Sequence, residues 1–130
     1  MSVRYSYLKE QFSDAEDLWA DLKRFVETGD FTLGAPLTEF ENKFAKLMGS
    51  KHAIGVNSGT DAIKLALKVQ GIGVGDEVIT AANTFVATVG AIVELGAIPV
   101  FVDCNDTFCM DTELVEAAVT DRTKAICPVH

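Results

Sequence analysis

Long hydrophobic runs are missing from this sequence. No apolar stretch approaches the roughly 20 residues that a membrane-spanning helix needs, and the opening residues, Met1-Ser2-Val3-Arg4-Tyr5, lack the apolar core of a signal peptide. These two absences predict a cytoplasmic protein without a membrane partner.

Basic residues are also scarce. The chain has 11 Lys and Arg against 19 Asp and Glu, which gives a net charge of −8, and its basic residues are scattered. Because nucleic-acid binding normally requires a concentrated basic patch, the composition argues against a nucleic-acid partner. A phosphate-bearing ligand would have to be held by a local structural feature against an unfavourable overall field.

Cysteine is rare and its spacing is uninformative. Cys104, Cys109 and Cys127 are odd in number and contain no CxxC pair. They are interpreted as incidental thiols in a reducing compartment, so neither a disulfide nor a metal site is predicted.

What the sequence does contain is the composition of an ordinary globular domain. It has 130 residues, 48% of them hydrophobic and 23% charged, with no internal repeat. Residues 1–50 are predicted to form a helical segment. Ser13 and Glu16 have the spacing of a capping box, and apolar residues recur behind them at helical intervals until Gly29. A second helix is predicted over residues 36–48, with a proline in its first turn and a glycine after its end.

From residue 51 to residue 130 the pattern becomes that of an α/β domain. The predicted strands are residues 53–56, 77–80, 98–102 and 124–129, and the helices between them are residues 61–70, 84–95 and 111–119. This alternation favours βαβ units of a mainly parallel sheet with helices on its faces. The first of these helices has one thin polar stripe and the second is apolar nearly all round, so both are expected to be largely enclosed.

The turn Ser58-Gly59-Thr60 follows the first predicted strand and opens a helix. Backbone N–H groups at a helix N-terminus are unpaired, and the helix dipole adds about half a positive charge there. A phosphate or carboxylate can therefore bind without a lysine, provided that small residues leave the backbone accessible.

Three features each admit two interpretations. The Ser58–Thr60 turn either binds an anion or only connects a strand to a helix. Phe85 follows the next strand and opens the next helix, where it either stacks on a planar, phosphorylated cofactor or belongs to the core. Phe31 and Leu33, in the loop between the first two helices, either pack against them or face a ligand.

The last predicted strand runs almost to the final residue, His130. Ligands in open α/β sheets bind beyond the carboxyl ends of strands, and nothing follows here to use that end. The chain is therefore expected to be the front part of a larger protein.

Residues 29–34, 51–62, 75–80, 83–88 and 96–103 together resemble the DegT/StrS-like sugar aminotransferases. The resemblance extends over nearly the whole chain. It implies the first part of the large domain of a fold-type-I enzyme dependent on pyridoxal 5′-phosphate. Such enzymes transfer an amino group from an amino acid, commonly glutamate, to a nucleotide-linked keto sugar. They act in the biosynthesis of deoxyaminosugars or surface polysaccharides, and they are homodimers. The amino-acid sequence near Phe31 is most similar to the sequences of enzymes that aminate a 3-keto sugar carried by thymidine diphosphate.

The resemblance also implies the roles of individual residues. Ser58, Gly59 and Thr60 match the phosphate-binding turn, and Phe85 matches the aromatic residue that stacks on the pyridine ring. The Schiff-base lysine and the acidic partner of the ring nitrogen come from segments beyond the matched region. No residue of this chain is therefore assigned a catalytic role, and the chain alone is expected to be inactive. Among the lysines that match none of that motif are Lys43, Lys46, Lys51, Lys64, Lys68 and Lys124.

Asp61 has a carboxylate close to the expected phosphate position, and the sequence leaves open whether it only caps the helix. Two other functions also stay open: a related sugar dehydratase, in which histidine replaces the lysine, and a non-catalytic binding or dimerisation module.

Overall fold

The computed structural model describes residues 3–129 in two compact units, the first ending at Gly55 and the second beginning at Val56. Met1, Ser2 and His130 lie outside the described residues. The predicted absence of a signal peptide and the predicted continuation after the last strand concern these residues, and so lie outside the described part of the chain. No helix in the described part of the chain is both long enough and apolar enough to cross a bilayer.

The first unit is helical, as predicted, with helices α1 (Leu8–Gln11), α2 (Glu16–Thr28) and α3 (Ala35–Met48). Helices α2 and α3 end at Gly29 and Gly49, whose φ angles of 69° and 65° are left-handed. Glycine adopts that conformation without a Cβ clash, so both predicted helix ends are confirmed. Helix α1 was not predicted, because a single turn is too short to show a periodic pattern.

The predicted capping box at Ser13 is wrong. The Ser13 hydroxyl donates to the Glu10 carbonyl at 2.7 Å and so belongs to the turn that ends α1. Ala15 occupies the cap position of α2, and no side chain accepts a hydrogen bond there.

The loop before α3 holds its two apolar side chains differently. The ring of Phe31 packs edge to face on Phe25, with 5.5 Å between the ring centroids. Both side chains are largely exposed, Phe31 at 63% and Leu33 at 82%, so the expected packing is limited to the single ring contact of Phe31.

The second unit is a three-stranded parallel sheet with helices. Its elements are α4 (Gly59–Val69), β1 (Glu77–Ala81), α5 (Val86–Glu94), β2 (Ile98–Val102), α6 (Thr112–Ala118) and β3 (Thr123–Cys127). The strand order is β2-β1-β3, and β1 pairs in parallel with both neighbours. The α/β class, the three strands of this sheet and the three helices are thus confirmed, with small shifts at their ends.

Strand β1 is fully buried and its side chains alternate between two cores. Val78 packs with Leu67 of α4 and Ile92 of α5. The next residue, Ile79, packs in the second cluster, which includes Val115 of α6 among its partly buried members. Helices α4 and α5 therefore lie on one face of the sheet and α6 on the other.

The strand predicted over residues 53–56 does not form. A strand requires a hydrogen-bonded neighbour, and the described sheet includes none for this segment. Instead, the Gly55 N–H donates to a carboxylate oxygen of Glu41 at 2.6 Å.

The expectation that two helices are enclosed is also wrong. In α4 only Leu67 is buried, and in α5 only Thr88, Ala91 and Ile92 are buried. Val86 and Val93 of α5 are 71% and 55% exposed. Each helix packs on the sheet through one face, and no described element covers the other.

Candidate functional site

Ser58 caps the N-terminus of α4. Its backbone is extended, with φ −158° and ψ 165°, and its hydroxyl accepts a hydrogen bond from the Asp61 N–H at 3.1 Å. The same hydroxyl donates to Oδ2 of Asp61 at 3.2 Å. This serine satisfies a helix end in the way that N-cap residues do, so its proton is already engaged within the chain.

The two backbone N–H groups ahead of Asp61 are in a different position. Within residues 3–129, neither the Gly59 nor the Thr60 N–H has an acceptor at hydrogen-bond distance. Both belong to the first turn of an 11-residue helix, where the dipole is positive. The start of α4 therefore presents two donors that an external anion can accept.

Nothing in the described chain requires glycine at position 59. Gly59 does not have a positive φ, and a Cβ built on it would meet no atom within 4 Å. The space in front of this residue is open, and a side chain would partly fill it. An anion that approaches the backbone closely uses such a space.

Asp61 takes part in an ion pair that links two helices. Its Oδ1 lies 3.0 Å from Nζ of Lys64, one turn further along α4. The same Nζ lies 2.8 Å from Oε2 of Glu94, at the end of α5. The Lys64 ammonium therefore stands between two carboxylates.

This arrangement changes the acid–base properties of its members. The hydrogen bond from Lys64, followed by the one from Ser58, lowers the pKa of Asp61 below its ordinary value. The hydrogen bonds to Glu94 and then to Asp61 raise the pKa of Lys64. Both groups are consequently charged at neutral pH.

Phe85 occupies the cap position of α5, directly after the segment that follows β1. Its ring is 76% exposed, so it does not contribute to the core of the described residues. The structure thus places Ser58, Gly59 and Thr60 at the start of one helix and Phe85 at the start of the next. These helices pack against each other, and the Lys64–Glu94 ion pair joins them.

Within the part of the chain that the structure describes, the cysteines and acidic residues form no cluster of metal ligands. Cys104, Cys109 and Cys127 are free thiols. Across residues 3–129, no three His, Cys, Asp or Glu side chains group closely enough to hold a metal ion.

The sheet and its flanking helices define the class. A parallel sheet with helices on both faces is the architecture of the α/β proteins, in which ligands bind beyond the carboxyl ends of the strands and at helix N-termini. The chain belongs, more narrowly, to the DegT/DnrJ/EryC1/StrS aminotransferase family, whose model matches residues 13–130.

Individual relatives agree with this assignment. The chain is 48% identical over 127 residues to dTDP-3-amino-3,4,6-trideoxy-alpha-D-glucose transaminase of Micromonospora megalomicea subsp. nigra, covering 97% of the chain and 34% of the relative. It is similar to DesV of S. venezuelae, solved in complex with a ketimine intermediate, at TM-score 0.91 and 42% identity, covering 98% of this chain and 35% of that one. It is also similar to NtdA of Bacillus subtilis with bound cofactor PMP, at TM-score 0.86 and 41% identity, covering 91% and 27%. The chain therefore spans about a third of the length of the relatives it matches.

Sequence reasoning missed the role of Lys64 and the contribution of Glu94. The spacing of Asp61 and Lys64 is a visible signal, since residues three apart meet on one helix face. Glu94 gives no such signal, because it is 30 residues away from Lys64 and is brought near only by the packing of α5 on α4.

Proposed function

We propose that the protein carrying this chain is a pyridoxal-phosphate-dependent aminotransferase that moves an amino group from an amino acid to a nucleotide-linked keto sugar. Family membership and the name of the 48%-identical transaminase support the sugar substrate. The observation that carries the proposal is the start of α4, with two unpaired N–H donors and open space at Gly59.

The residues present fit a phosphorylated cofactor. In this proposal the Gly59 and Thr60 N–H groups donate to the cofactor phosphate, together with the Thr60 hydroxyl. Ser58 holds these donors in place by capping the helix, which is a more indirect role than the direct contact that the sequence suggested. The exposed ring of Phe85 covers one face of the pyridine ring.

These contacts define what the cofactor and the residues of this chain each contribute to the reaction. When bound, pyridoxal phosphate supplies the electron sink and carries the amino group. The α4 N-terminus fixes the position of the phosphate, and Phe85 restricts the tilt of the ring and shields one face from water. No residue of this chain is assigned the transfer of a proton. We assign that step to a lysine outside these 130 residues.

Glutamate is the proposed amino donor, and a 3-keto sugar on thymidine diphosphate is the proposed acceptor. The test uses the protein as its gene encodes it, purified with pyridoxal phosphate and mixed with these two substrates. We expect formation of 2-oxoglutarate and of an amino sugar in equal amounts.

The isolated 130-residue chain is the matched control, and we expect no turnover from it. Loss of the sugar hydroxyl without transfer of nitrogen would instead indicate a dehydratase. A protein whose spectrum shows only free cofactor, with no adduct fixed by borohydride, would contradict the aminotransferase. A dehydratase with histidine in place of the lysine gives no such adduct either, so the absence of both amino sugar and dehydrated sugar would favour a binding module.

A further inference from the structure

The carboxylate of Asp61 lies in the first turn of α4, where the proposed function places a phosphate. An uncompensated carboxylate there would repel a phosphate dianion, because like charges within a few ångströms destabilise each other strongly when partly shielded from water. The structure shows both oxygens of this carboxylate occupied from within the chain. Oδ2 accepts from the Ser58 hydroxyl at 3.2 Å, and Oδ1 lies 3.0 Å from Lys64 Nζ.

The ion pair that holds Asp61 differs from the other pairs on the helices. The side chains of Lys64 and Asp61 are 29% and 30% exposed, whereas those of Lys43 and Glu39 on α3 are 75% and 65% exposed. Exposed pairs are weakly held and screened by salt, whereas partly buried ones are screened much less. Glu94 lies 2.8 Å from Lys64 and links it to the neighbouring helix, but its side chain is 57% exposed, so this second contact is more strongly screened by solvent and salt than the first.

Lys64 is poorly placed to bind the phosphate itself. It stands five residues beyond Gly59, which corresponds to about 7.5 Å along the helix axis. Its ammonium group is already bound by two carboxylates. Any effect that it has at the start of α4 therefore passes through Asp61.

We propose that Lys64, which is anchored by Glu94, is a positioning residue. It keeps the Asp61 carboxylate turned toward the next turn of α4 and compensates its negative charge. The start of this helix can therefore accept a phosphate dianion. The role rests on the proposed function. It explains why an acidic residue is tolerated in the first turn of a phosphate-binding helix within a chain of net charge −8.

The test measures dissociation constants of pyridoxamine 5′-phosphate and of pyridoxamine, which lacks the phosphate, for the protein as its gene encodes it. Neither ligand forms a Schiff base with a lysine, so the ratio of the two constants isolates the phosphate contribution. We expect Lys64→Met to weaken binding of the phosphorylated ligand about tenfold, the size typical of losing one partly shielded charge contact. Binding of pyridoxamine should not change.

A double-mutant cycle tests whether the effect passes through Asp61. With Asp61→Asn added to Lys64→Met, the affinity for the phosphorylated ligand should return close to the wild-type value, because no carboxylate is left to repel it. Lys64→Arg should keep the wild-type affinity. The arginine variant retains the positive charge, so it still tests the role of this charge if the methionine variant folds poorly. Lys68→Met, the same change one turn further along α4, is the control and should have no effect on the ratio.

Three results would overturn the proposal in distinguishable ways. If the wild-type protein binds both ligands equally, the phosphate is not held at this helix and the proposed function fails together with the role of Lys64. If the wild type prefers the phosphorylated ligand and Lys64→Met keeps that preference, only the role of Lys64 fails. If the preference is lost but Asp61→Asn does not restore it, Lys64 does not act through Asp61.

Discussion

A side chain added at position 59 would project into open space, which separates its effect on folding from its effect on binding. We expect Gly59→Ala to keep or raise the free energy of unfolding, by up to about 1 kcal/mol, because alanine is favoured over glycine in a helix. The added methyl group would stand where the phosphate approaches, so the affinity for pyridoxamine 5′-phosphate should fall several-fold.

Denaturant unfolding and ligand titration on the same variant check this prediction. Gly73→Ala is the control, since Gly73 also has open space around a built Cβ and no positive φ. A clear fall in the free energy of unfolding with unchanged ligand affinity would contradict the prediction. It would show that the absence of a side chain at position 59 is needed for packing and not for ligand binding.

The exposed ring of Phe85 leads to a second prediction at this scale. Phe85→Ala should weaken binding of pyridoxamine 5′-phosphate several-fold, because a stacked aromatic pair contributes about 0.5–1.5 kcal/mol beyond area burial. The melting temperature should hardly change, since the removed ring leaves no core cavity. Phe108→Ala removes an equally exposed ring (77% against 76%) and should leave the affinity unchanged.

The opposite pattern for Phe85→Ala would remove this ring from the site. Truncating a core phenylalanine costs about 3–5 kcal/mol of stability, so a large fall in melting temperature with unchanged affinity would show that the ring packs in the native protein.

The sequence predicted that a helix begins at this turn, and the structure confirms it, whereas the roles of Ser58, Gly59 and Thr60 in binding a cofactor stay predictions. Ser58, Gly59 and Thr60 form one local pattern, and the start of α4 follows from it. The hydrogen bond from the Ser58 hydroxyl to Asp61 could not be predicted from this pattern, because a short polar side chain at a cap can point toward the helix or toward a ligand. The contribution of Glu94 required the packing of two helices, which no local pattern contains.

At the scale of elements, Glu77 ties the start of β1 to the segment before β3. This buried carboxylate accepts from the Thr120 hydroxyl at 2.5 Å and from the Arg122 guanidinium at 2.6 Å. The hydrogen bond from Thr120 is the main cause that lowers the pKa of Glu77, and the charge of Arg122 adds to it. A carboxyl group whose pKa is lowered by folding stabilises the folded state while it is ionised.

We therefore expect Glu77→Gln to lower the stability at neutral pH, and the difference from wild type to shrink in acid. The stabilisation is complete above the unfolded-state pKa of about 4.3 and is lost as the pH falls through the lower folded-state pKa. Urea unfolding at a series of pH values from 7 to 3 measures it. Glu116→Gln, which removes a carboxylate at an exposed position of α6, is the control. A constant difference for Glu77→Gln would contradict the prediction.

The elements that the sequence predicted correctly are those whose partners lie nearby in the chain. Strands β1 and β2 pair across a single helix, and apolar runs with glycine turns mark them well. Residues 53–56 look equally strand-like by composition, but whether an extended segment becomes a strand depends on a neighbour that composition does not reveal. The capping box failed for a related reason, because the preceding turn competes for the Ser13 hydroxyl.

At the scale of the whole molecule, both units expose apolar helix faces. The exposed large apolar side chains on the helices of the two units include Leu18, Trp19, Leu22, Val26, Phe40, Leu47, Val86 and Val93. Contiguous apolar surface of a few hundred Å² favours association, at about 25 cal/mol per Å² buried. We expect the isolated 130-residue chain to form dimers or higher oligomers, and the protein as its gene encodes it to form the homodimer that the resemblance to the sugar aminotransferases implies.

Light scattering over a range of concentrations checks both expectations. Replacing Val86 and Val93 by threonine keeps their shape while adding a hydroxyl, and it should reduce the association of the isolated chain. If the isolated chain is a monodisperse monomer at high concentration and unfolds cooperatively, the prediction is contradicted. The exposed apolar helix faces would then be tolerated in solution.

The cap at Ser58 has a consequence for the energetics of binding. Its two hydrogen bonds with Asp61 lie within four residues and involve no external group. Folding alone therefore orders this turn, and the loss of chain entropy is complete before any ligand arrives. A ligand that binds a preorganised turn loses little affinity to conformational ordering, whereas a loop that closes around its ligand loses much more. The affinity at the start of α4 should accordingly vary with the charge and size of the ligand more than with the flexibility of the chain.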